Sequence, residues 1–455
     1  MIERLKPYAE YKESGLPWLG RCPKNWSVRR TKILFHERVQ KGFPNEPLLA
    51  ATQTKGVVKK EDYETRTVTA QKDLHLLKLV EVGDYVISLR SFQGGIEVAH
   101  CRGIISPAYT VLKPRKSATS GYYSHFFKAK PFIDSLSLFV TGIREGQNID
   151  YERLSRAELP MPSEDEQAAI VRFLDHANRK IDGFIRAKRK LIGLLNEQKQ
   201  AIIHRAVTRG LHPDVPLKPS GIPWLGDIPM HWEMSRACRL FRQVTRFIAT
   251  GDEPKMSMSR HYGLIRSSEL SNRAAQAATS IKFSVCIPDD LVLNKYQAHN
   301  GLFGAAIEKG LITSNYSVFK PLNGACTPYF AALFASPTYR GEFRMRCQGV
   351  GDGMMPLYSD AFLKTPTIAP PVEEQRAIVA YLIQATKTVT ETIARTEREI
   401  ALMQEYRTRL TADLVTGKLD VREAAAHLPA QPTLTDDEPA PDDSLEEIET
   451  EEIEA

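Results

Sequence analysis

The chain contains itself twice. SGLPWLGRCPKNW at Ser14–Trp26 returns as SGIPWLGDIPMHW at Ser220–Trp232, with Ser, Gly, Pro, Trp, Leu, Gly, Pro and Trp in the same eight places. The match runs on. Asn45–Val58 aligns with Asp252–Ile265 through Glu46/Glu253, Pro47/Pro254 and Gly56/Gly263. GDYVIS (Gly83–Ser88) aligns with DDLVLN (Asp289–Asn294), and GIISPAYTVLKP (Gly103–Pro114) with GLITSNYSVFKP (Gly310–Pro321). PSEDEQAAIVRFL (Pro162–Leu174) aligns with PPVEEQRAIVAYL (Pro370–Leu382), and AVTRGL (Ala206–Leu211) with LVTGKL (Leu414–Leu419). The offset stays at 206–208 residues. That period is far too long for a solenoid, whose units run ~20–50 residues, so the chain is a duplicated domain pair.

Each copy has two parts. The first is rich in Gly and Pro, with short β-runs such as DYVISL and YTVLKP bounded by turn residues. Phe127–Phe139 and Tyr329–Phe343 read as helix, which makes the module α/β or α+β. The second part is a long helix. Pro and acidic residues open it before an apolar-periodic run. Its predicted heptad seam is Ile170, Leu174, Ala177, Ile181, Phe184, Lys188, Leu191, Leu195, Gln198 and Ile202 in copy one. In copy two it is Ile378, Leu382, Ala385, Val389, Thr392, Thr396, Glu399, Met403, Tyr406 and Leu410. One helix cannot bury such a stripe, but two equivalent helices can pair with each other. The expected architecture is two similar globular domains related by a pseudo-twofold axis and joined by two long antiparallel coiled-coil helices. The expected boundaries are 1–158 and 212–366 for the globular domains, 159–211 and 367–422 for the helices, and 423–455 for an acidic, disordered tail.

Charge follows this layout. The chain has 61 Lys and Arg against 55 Asp and Glu, and 11 of the acids lie after residue 428, which leaves the preceding body at +17. A body that basic points to a polyanion or is simply a basic surface, since charge argues about partners and not about fold. Cys22, Cys101, Cys238, Cys286, Cys326 and Cys347 show no zinc or CxxC spacing, so a reducing cytoplasm is expected. No apolar run is long enough to span a bilayer and the first residues carry no signal pattern, so no membrane role is expected.

Three stretches approach catalytic motifs and miss them. VTGKLD at Val415–Asp420 has Ala412 where a phosphate loop needs Gly and Leu419 where it needs a hydroxyl. Ser106–Tyr109 (SPAY) approaches the loop of an adenine methyltransferase, but copy two has Ser314-Asn315-Tyr316 there, without proline. His204, His212 and the His100–Cys101 pair lack a third ligand, so no metal is expected. PDDLVLNK (Pro288–Lys295) begins like a nuclease motif but reads better as a turn before a strand.

The doubled order of SG[LI]PWLG…P…W, GDYVIS, SPAYTVLKP, P…EQ..I...L and VT[RG][GK]L resembles the specificity subunit of type I restriction-modification systems, over residues 8–422. The resemblance implies two target-recognition domains, each reading one half of a bipartite, asymmetric sequence in double-stranded DNA, and helices that set the spacer. It implies no catalysis and no cofactor in this chain. S-adenosylmethionine would sit on two methyltransferase partners, and ATP with Mg on two translocase-nuclease partners. The helix starts, Glu166, Gln167, Ile170, Glu374, Gln375 and Ile378, are the candidate partner-docking positions.

Loops on a rigid module are the default place for base contacts. RSFQGG (Arg90–Gly95) and KYQAHNG (Lys295–Gly301) follow matched strands, and each combines a cation, a Gln and glycine. TGIREGQN (Thr141–Asn148) and QGVGDGMM (Gln348–Met355) form a second pair. The candidate DNA contacts are Arg90, Gln93, Arg144, Gln147, Asn148, Lys295, Gln297 and Asn300. Each serves a base edge, a phosphate, or merely solvent. The basic run Arg186–Gln200 is expected on solvated helix faces, with spacer phosphates as the other option. Trp18, Trp26, Trp224 and Trp232 are expected to pack the opening segment of each copy against its helix. Two other classes remain: a standalone enzyme, for which no motif was found, and a coiled-coil scaffold, which leaves the basic body unexplained.

Overall fold

The computed structural model describes residues 5–53, 55–62, 73–89, 91–115, 121–141, 148–246, 253–259, 263–270, 283–347 and 355–429. They form two compact units, one of residues 5–188 with 397–429 and the other of residues 189–396. The first unit is therefore assembled from both halves of the sequence.

In the first unit an antiparallel sheet is built from β1 (Phe35–Glu37), β2 (Tyr85–Ile87), β3 (Glu97–Val98) and β4 (Thr110–Pro114), in the order β1-β4-β2-β3. Alternation along the strands sorts their side chains into two layers. Tyr85, Ile87 and Leu112 face a helical core with Phe35, Tyr122, Tyr123, Phe126 and Phe127. Val86 and Val111 face a second core with Leu49, Val57, Val80, Ala99 and Ile105. Three short helices cover the first layer or adjoin it: α1 (Ser91–Gly94), α2 (Tyr122–Phe126) and α3 (Lys130–Ser135), the last running into a 3-10 turn at Leu136–Phe139.

The second unit repeats this plan. Strands β5 (Phe241–Val244), β6 (Leu291–Asn294), β7 (Phe303–Ala305) and β8 (Tyr316–Pro321) stand in the order β5-β8-β6-β7. Leu291, Leu293 and Phe319 meet the helical core, while Val292 and Val318 meet Met256, Met258, Leu264 and Ile312. Helices α4 (Thr327–Phe334) and α5 (Pro337–Arg346) follow β8. Pro328 and Pro337 sit in their first turns, where a missing N–H costs nothing.

The first long helix runs Glu164–Arg209, 46 residues, and the second Val372–Val415, 44 residues. At ~1.5 Å per residue they are about 66–69 Å long. In the first unit they pack antiparallel, as the cross-helix ion pairs Asp182–Arg407 and Lys188–Glu399 (2.7 Å) require. Lys188 and Glu399, the charged residues of the two predicted seams, thus pair with each other. In the second unit the end of the first helix lies beside the start of the second: Ala206 and Val207 share a core with Ile378 and Leu382.

The seam departs from strict heptads. After Ile181 the buried position is Ile185, not Phe184, and the half-buried series continues through Lys188, Ile192, Leu195 and Lys199. Leu191 and Gln198 face outward. On the second helix Met403 is followed by Arg407, while Tyr406 is exposed. An extra step of four is a stutter, which unwinds the supercoil locally. The two stutters lie opposite each other, joined by Asp182–Arg407. Fixed steps of four and three, as used in the sequence reading, cannot register such a shift.

Helix ends close each unit. Gly210 (φ +77°) and Gly417 (φ +75°) take the left-handed conformation that ends helices. Tyr122 donates its hydroxyl to the Val415 carbonyl at 2.6 Å in the first unit, and Tyr329 to the Val207 carbonyl at 2.9 Å in the second. So the VTRGL end of copy one docks on the module of copy two, and VTGKL of copy two on the module of copy one. Residues 423–428, expected to open the disordered tail, instead join the first core: Ala424 and Ala425 are buried there beside Val421.

Candidate nucleic-acid interface

Of the six helix-start positions expected to dock a partner, all but Glu374 are buried within their modules. Glu166 is 2 % exposed and accepts three hydrogen bonds: from Tyr8 Oη at 2.6 Å, Trp26 Nε1 at 2.8 Å and Asn25 Nδ2 at 2.9 Å. Burial, then the Glu166 carboxylate, raise the Tyr8 phenol far above its ordinary value. In the second unit Glu374 accepts from Trp232 Nε1 at 3.1 Å and lies 2.7 Å from His231 Nε2. Gln167 and Gln375 donate back to the carbonyls of Pro162 (3.0 Å) and Pro370 (2.7 Å), tying the helix start to the strand before it. Ile170 and Ile378 are wholly buried. Glu166, Gln167, Ile170, Gln375 and Ile378 lie inside a core and present nothing to a partner; they lock the module to the helix, as Glu374 does from a half-buried position. Trp26 and Trp232, both fully buried, are the other half of that lock.

A second repeated feature escaped the sequence reading. Arg38 Nε bonds Asp84 Oδ2 at 2.7 Å in the first unit, and Arg246 pairs with Asp290 in the second. Asp84 and Asp290 are 2 % and 1 % exposed and also accept from the N–H of Glu81 and Ile287. The nuclease-like PDDL is therefore a turn held by a buried ion pair. In SPAY, Ser106 accepts from the Ala108 and Tyr109 N–H groups, which makes that stretch a turn as well.

In the first unit α1 follows β2, and Ser91, its first residue, accepts through Oγ from the Ser88 N–H at 2.8 Å. Gln93 on α1 is exposed. Behind it Lys128 bonds the carbonyls of Gln53 and Gly94, both at 2.9 Å, and the carboxylate of Glu97. Glu97 is 2 % exposed; burial pushes its carboxyl up and Lys128 opposes that. Gly95 (φ +87°) lies against the Phe127 carbonyl, where a Cβ would stand at 2.2 Å. Gln93 is thus carried on a fixed platform. Asn148 lies in a two-residue strand, Asn148–Ile149, paired with Val140–Thr141. Arg90, Arg144 and Gln147 lie outside the described residues.

In the second unit the corresponding turn is Ala298–Asn300, after β6. Asn294 is 5 % exposed and its Oδ1 accepts from the N–H of Tyr296 and Gln297, which fixes the loop. Asn300 Nδ2 donates to Gln297 Oε1 at 2.6 Å. That couple leaves an amide donor on Gln297 and an acceptor on Asn300 side by side. Such a pairing complements the N6 donor and N7 acceptor of adenine in the major groove. Lys295 is half-buried, and desolvation lowers its ammonium. The structure brings Lys295, Gln297 and Asn300 together in one loop.

Among the described residues no group of three His, Cys, Asp or Glu is placed to hold a metal ion. A cleft of about 830 Å³ in the first unit is lined by Pro17, Trp18, Leu138, Ala412 and several charged residues. Its Lys130, Arg409 and Lys418 are paired with Asp134, Glu405 and Asp413. No described helix is long and apolar enough to cross a membrane.

No family model matches the chain, and no curated protein matches it. Solved structures do. A chain from a study of complex assembly and conformational transition of the type I restriction-modification system superposes at a TM-score of 0.59. It shares 15% identity and covers 88% of this chain and 99% of its own. The HsdS subunit of Thermoanaerobacter tengcongensis gives 0.42 at 15% identity over 88% and 98%. The type I S subunit of M. genitalium gives 0.31 at 13% identity over 86% and 96%. The first of these likenesses establishes a shared fold.

Proposed function

We propose that this chain is the specificity subunit of a type I restriction-modification complex, a reader of double-stranded DNA without catalysis of its own. The observation that carries this is the fold: a duplicated α+β module with two long paired helices, matched over 99% of a neighbour from such a system. The +17 body and the diverged loops between shared frame segments support it. Each module reads one half of an asymmetric bipartite sequence, and the helices fix the gap between the halves. Gln93 and Asn148 in one module, and Lys295, Gln297 and Asn300 in the other, are the described candidates for base or phosphate contact; Arg90, Arg144 and Gln147 join them from sequence. Two methyltransferase subunits bring S-adenosylmethionine and modify adenine. Two translocase-nuclease subunits bring ATP and Mg and cut. The complex works in the cytoplasm.

Base-resolution adenine methylation of host DNA, with the gene present and deleted, tests this. Loss of one asymmetric motif of two short half-sites around an unspecified gap is expected. An unchanged methylation pattern, together with no DNA binding when methyltransferase subunits are supplied, would sink the proposal.

A further inference from the structure

In the first unit a β-hairpin stands beside α1. Its strands, Leu49–Thr52 and Gly56–Lys59, pair antiparallel. Thr52 holds the turn between them: its Oγ1 donates to the Gly56 carbonyl at 2.9 Å and accepts from the Lys55 N–H at 3.0 Å. The hairpin is also seated on its surroundings. The Val57 carbonyl accepts from the His100 N–H at 3.1 Å, and a Cβ on Gly56 (φ +72°) would stand 2.7 Å from the Val98 carbonyl. Lys128 donates to the carbonyls of both Gln53 and Gly94, so one ammonium ties the hairpin turn to the last residue of α1.

Gln53 follows Thr52 in that turn, and its side chain is exposed. It nonetheless has a fixed place. It lies over Gly94: a Cβ there would meet Gln53 Cδ at 2.7 Å and Cγ and Nε2 at 2.8 Å. Any larger residue at position 94 would displace the glutamine. Among the described residues, however, nothing hydrogen-bonds the Gln53 amide. A long exposed side chain loses rotamer freedom when a ligand orders it, and that loss weakens binding. Contact with Gly94 and the tethered backbone have already removed much of this freedom from Gln53. Its amide oxygen and N–H groups are still open. A braced side chain with an unused donor and acceptor is suited to reading a base edge, and the two groups of a Gln amide complement N6 and N7 of adenine in the major groove. Gln93, the residue before Gly94, is exposed beside it.

We infer that Gln53 is a specificity-determining residue of the first module, reading the major-groove edge of one adenine from the hairpin that Lys128 ties to α1. The reading surface of this module is then built from two separate chain segments, the hairpin turn and α1. This rests on the reading of the chain as a DNA-binding subunit.

The test is affinity of the full chain, with methyltransferase subunits supplied, for duplexes carrying the mapped motif and each of its single-base variants. Gln53→Ala removes an exposed amide, so an unchanged melting temperature is expected. It should relax discrimination at one A·T pair of one half-site by about 5–150-fold and leave the other positions as selective as before. Placing 7-deazaadenine, which lacks the N7 acceptor, at that pair should weaken the wild type and leave Gln53→Ala unaffected. Unchanged discrimination at every position, on a wild type that selects the motif, overturns the inference. So does a loss of affinity shared by all duplexes, which would make Gln53 a phosphate contact. Relaxation in both half-sites also overturns it, because Gln53 would then be a structural brace. A wild type that binds the mapped motif no better than a scrambled duplex would instead overturn the DNA-reading proposal itself.

Discussion

Replacing Glu166 by alanine strands three donors at once. Two of them, Tyr8 Oη and Trp26 Nε1, belong to side chains 6 % and 0 % exposed, where water does not replace the carboxylate. Asn25 is exposed and recovers a water. An unmet buried donor costs roughly 1–3 kcal/mol, so Glu166→Ala is expected to destabilise the first unit by about 3–5 kcal/mol. Glu166→Gln keeps an oxygen where both buried donors converge, and about 1 kcal/mol is expected. Glu374→Ala strands one buried donor, Trp232 Nε1, beside a carboxylate already 22 % exposed. There about 1–2 kcal/mol is expected. Native-state hydrogen exchange read by mass spectrometry resolves each unit through its own peptides. The reasoning fails if Glu166→Ala costs less than about 1 kcal/mol in first-unit peptides, or if Glu374→Ala costs as much.

Other outcomes follow from the same contacts. Gln297→Ala breaks the Asn300 couple, and it should relax discrimination at one base pair of one half-site by about 1–3 kcal/mol, read from binding to single-base variant duplexes. Exchanging the seam charges in Lys188→Glu/Glu399→Lys should restore most of the stability lost by either single change, with a coupling of about 0.5–1 kcal/mol in a double-mutant cycle. Gly417→Ala places a Cβ 2.4 Å from Pro23 Cδ at φ +75°, so it should destabilise the first unit by more than ~1 kcal/mol in the same exchange assay. His299 is held below its ordinary value when folded, so the neutral form is favoured. Its contribution is complete above the unfolded value of about 6.5 and is lost as pH falls below it. His299→Gln should flatten that part of a stability–pH curve, measured by denaturant melts between about pH 5 and 7.5.

The repeat made most of the frame legible. Matching segments at one offset marked the strands, the helix starts and the Trp pairs, because two copies of a constraint show twice. What was hidden follows from the same doubling. VTRGL and VTGKL end both helices, and the opening Trp motif occurs in both modules. Either helix end fits either module by pattern, so nothing in the sequence says that each docks on the other copy's. The roles of Glu166 and Glu374 were missed because acids at a helix start have a sufficient local reason in the dipole. Only contact with Trp26 and Trp232, about 140 residues away, reveals the lock. The stutters at Ile181–Ile185 and Met403–Arg407 were invisible to a fixed heptad template, since the aromatic Phe184 and Tyr406 satisfy its positions and a charged Arg407 is not expected in a seam. The candidate loops could be picked out in the sequence, but Lys128, in the turn before α3, and Arg340, on α5, pack against them from further along the chain, and no local pattern links them to those loops.

The interlaced helix ends also bear on the order in which the chain can be made solid. The second unit is one continuous stretch, residues 189–396, and its contacts can close as soon as that stretch has emerged from the ribosome. The first unit begins earlier yet waits longer. Tyr122 must meet Val415, 293 positions on, and Tyr8 and Trp26 lie in a core with Leu414 and Val421. At ~5–20 residues per second, the roughly 200 residues between its two pieces take about 10–40 s to synthesise. For that time an apolar surface that includes Tyr122, Ile170 and Leu174 lacks its covering helix. Translation therefore completes the later module first, and the half-made earlier module is the species most exposed to aggregation or to a chaperone.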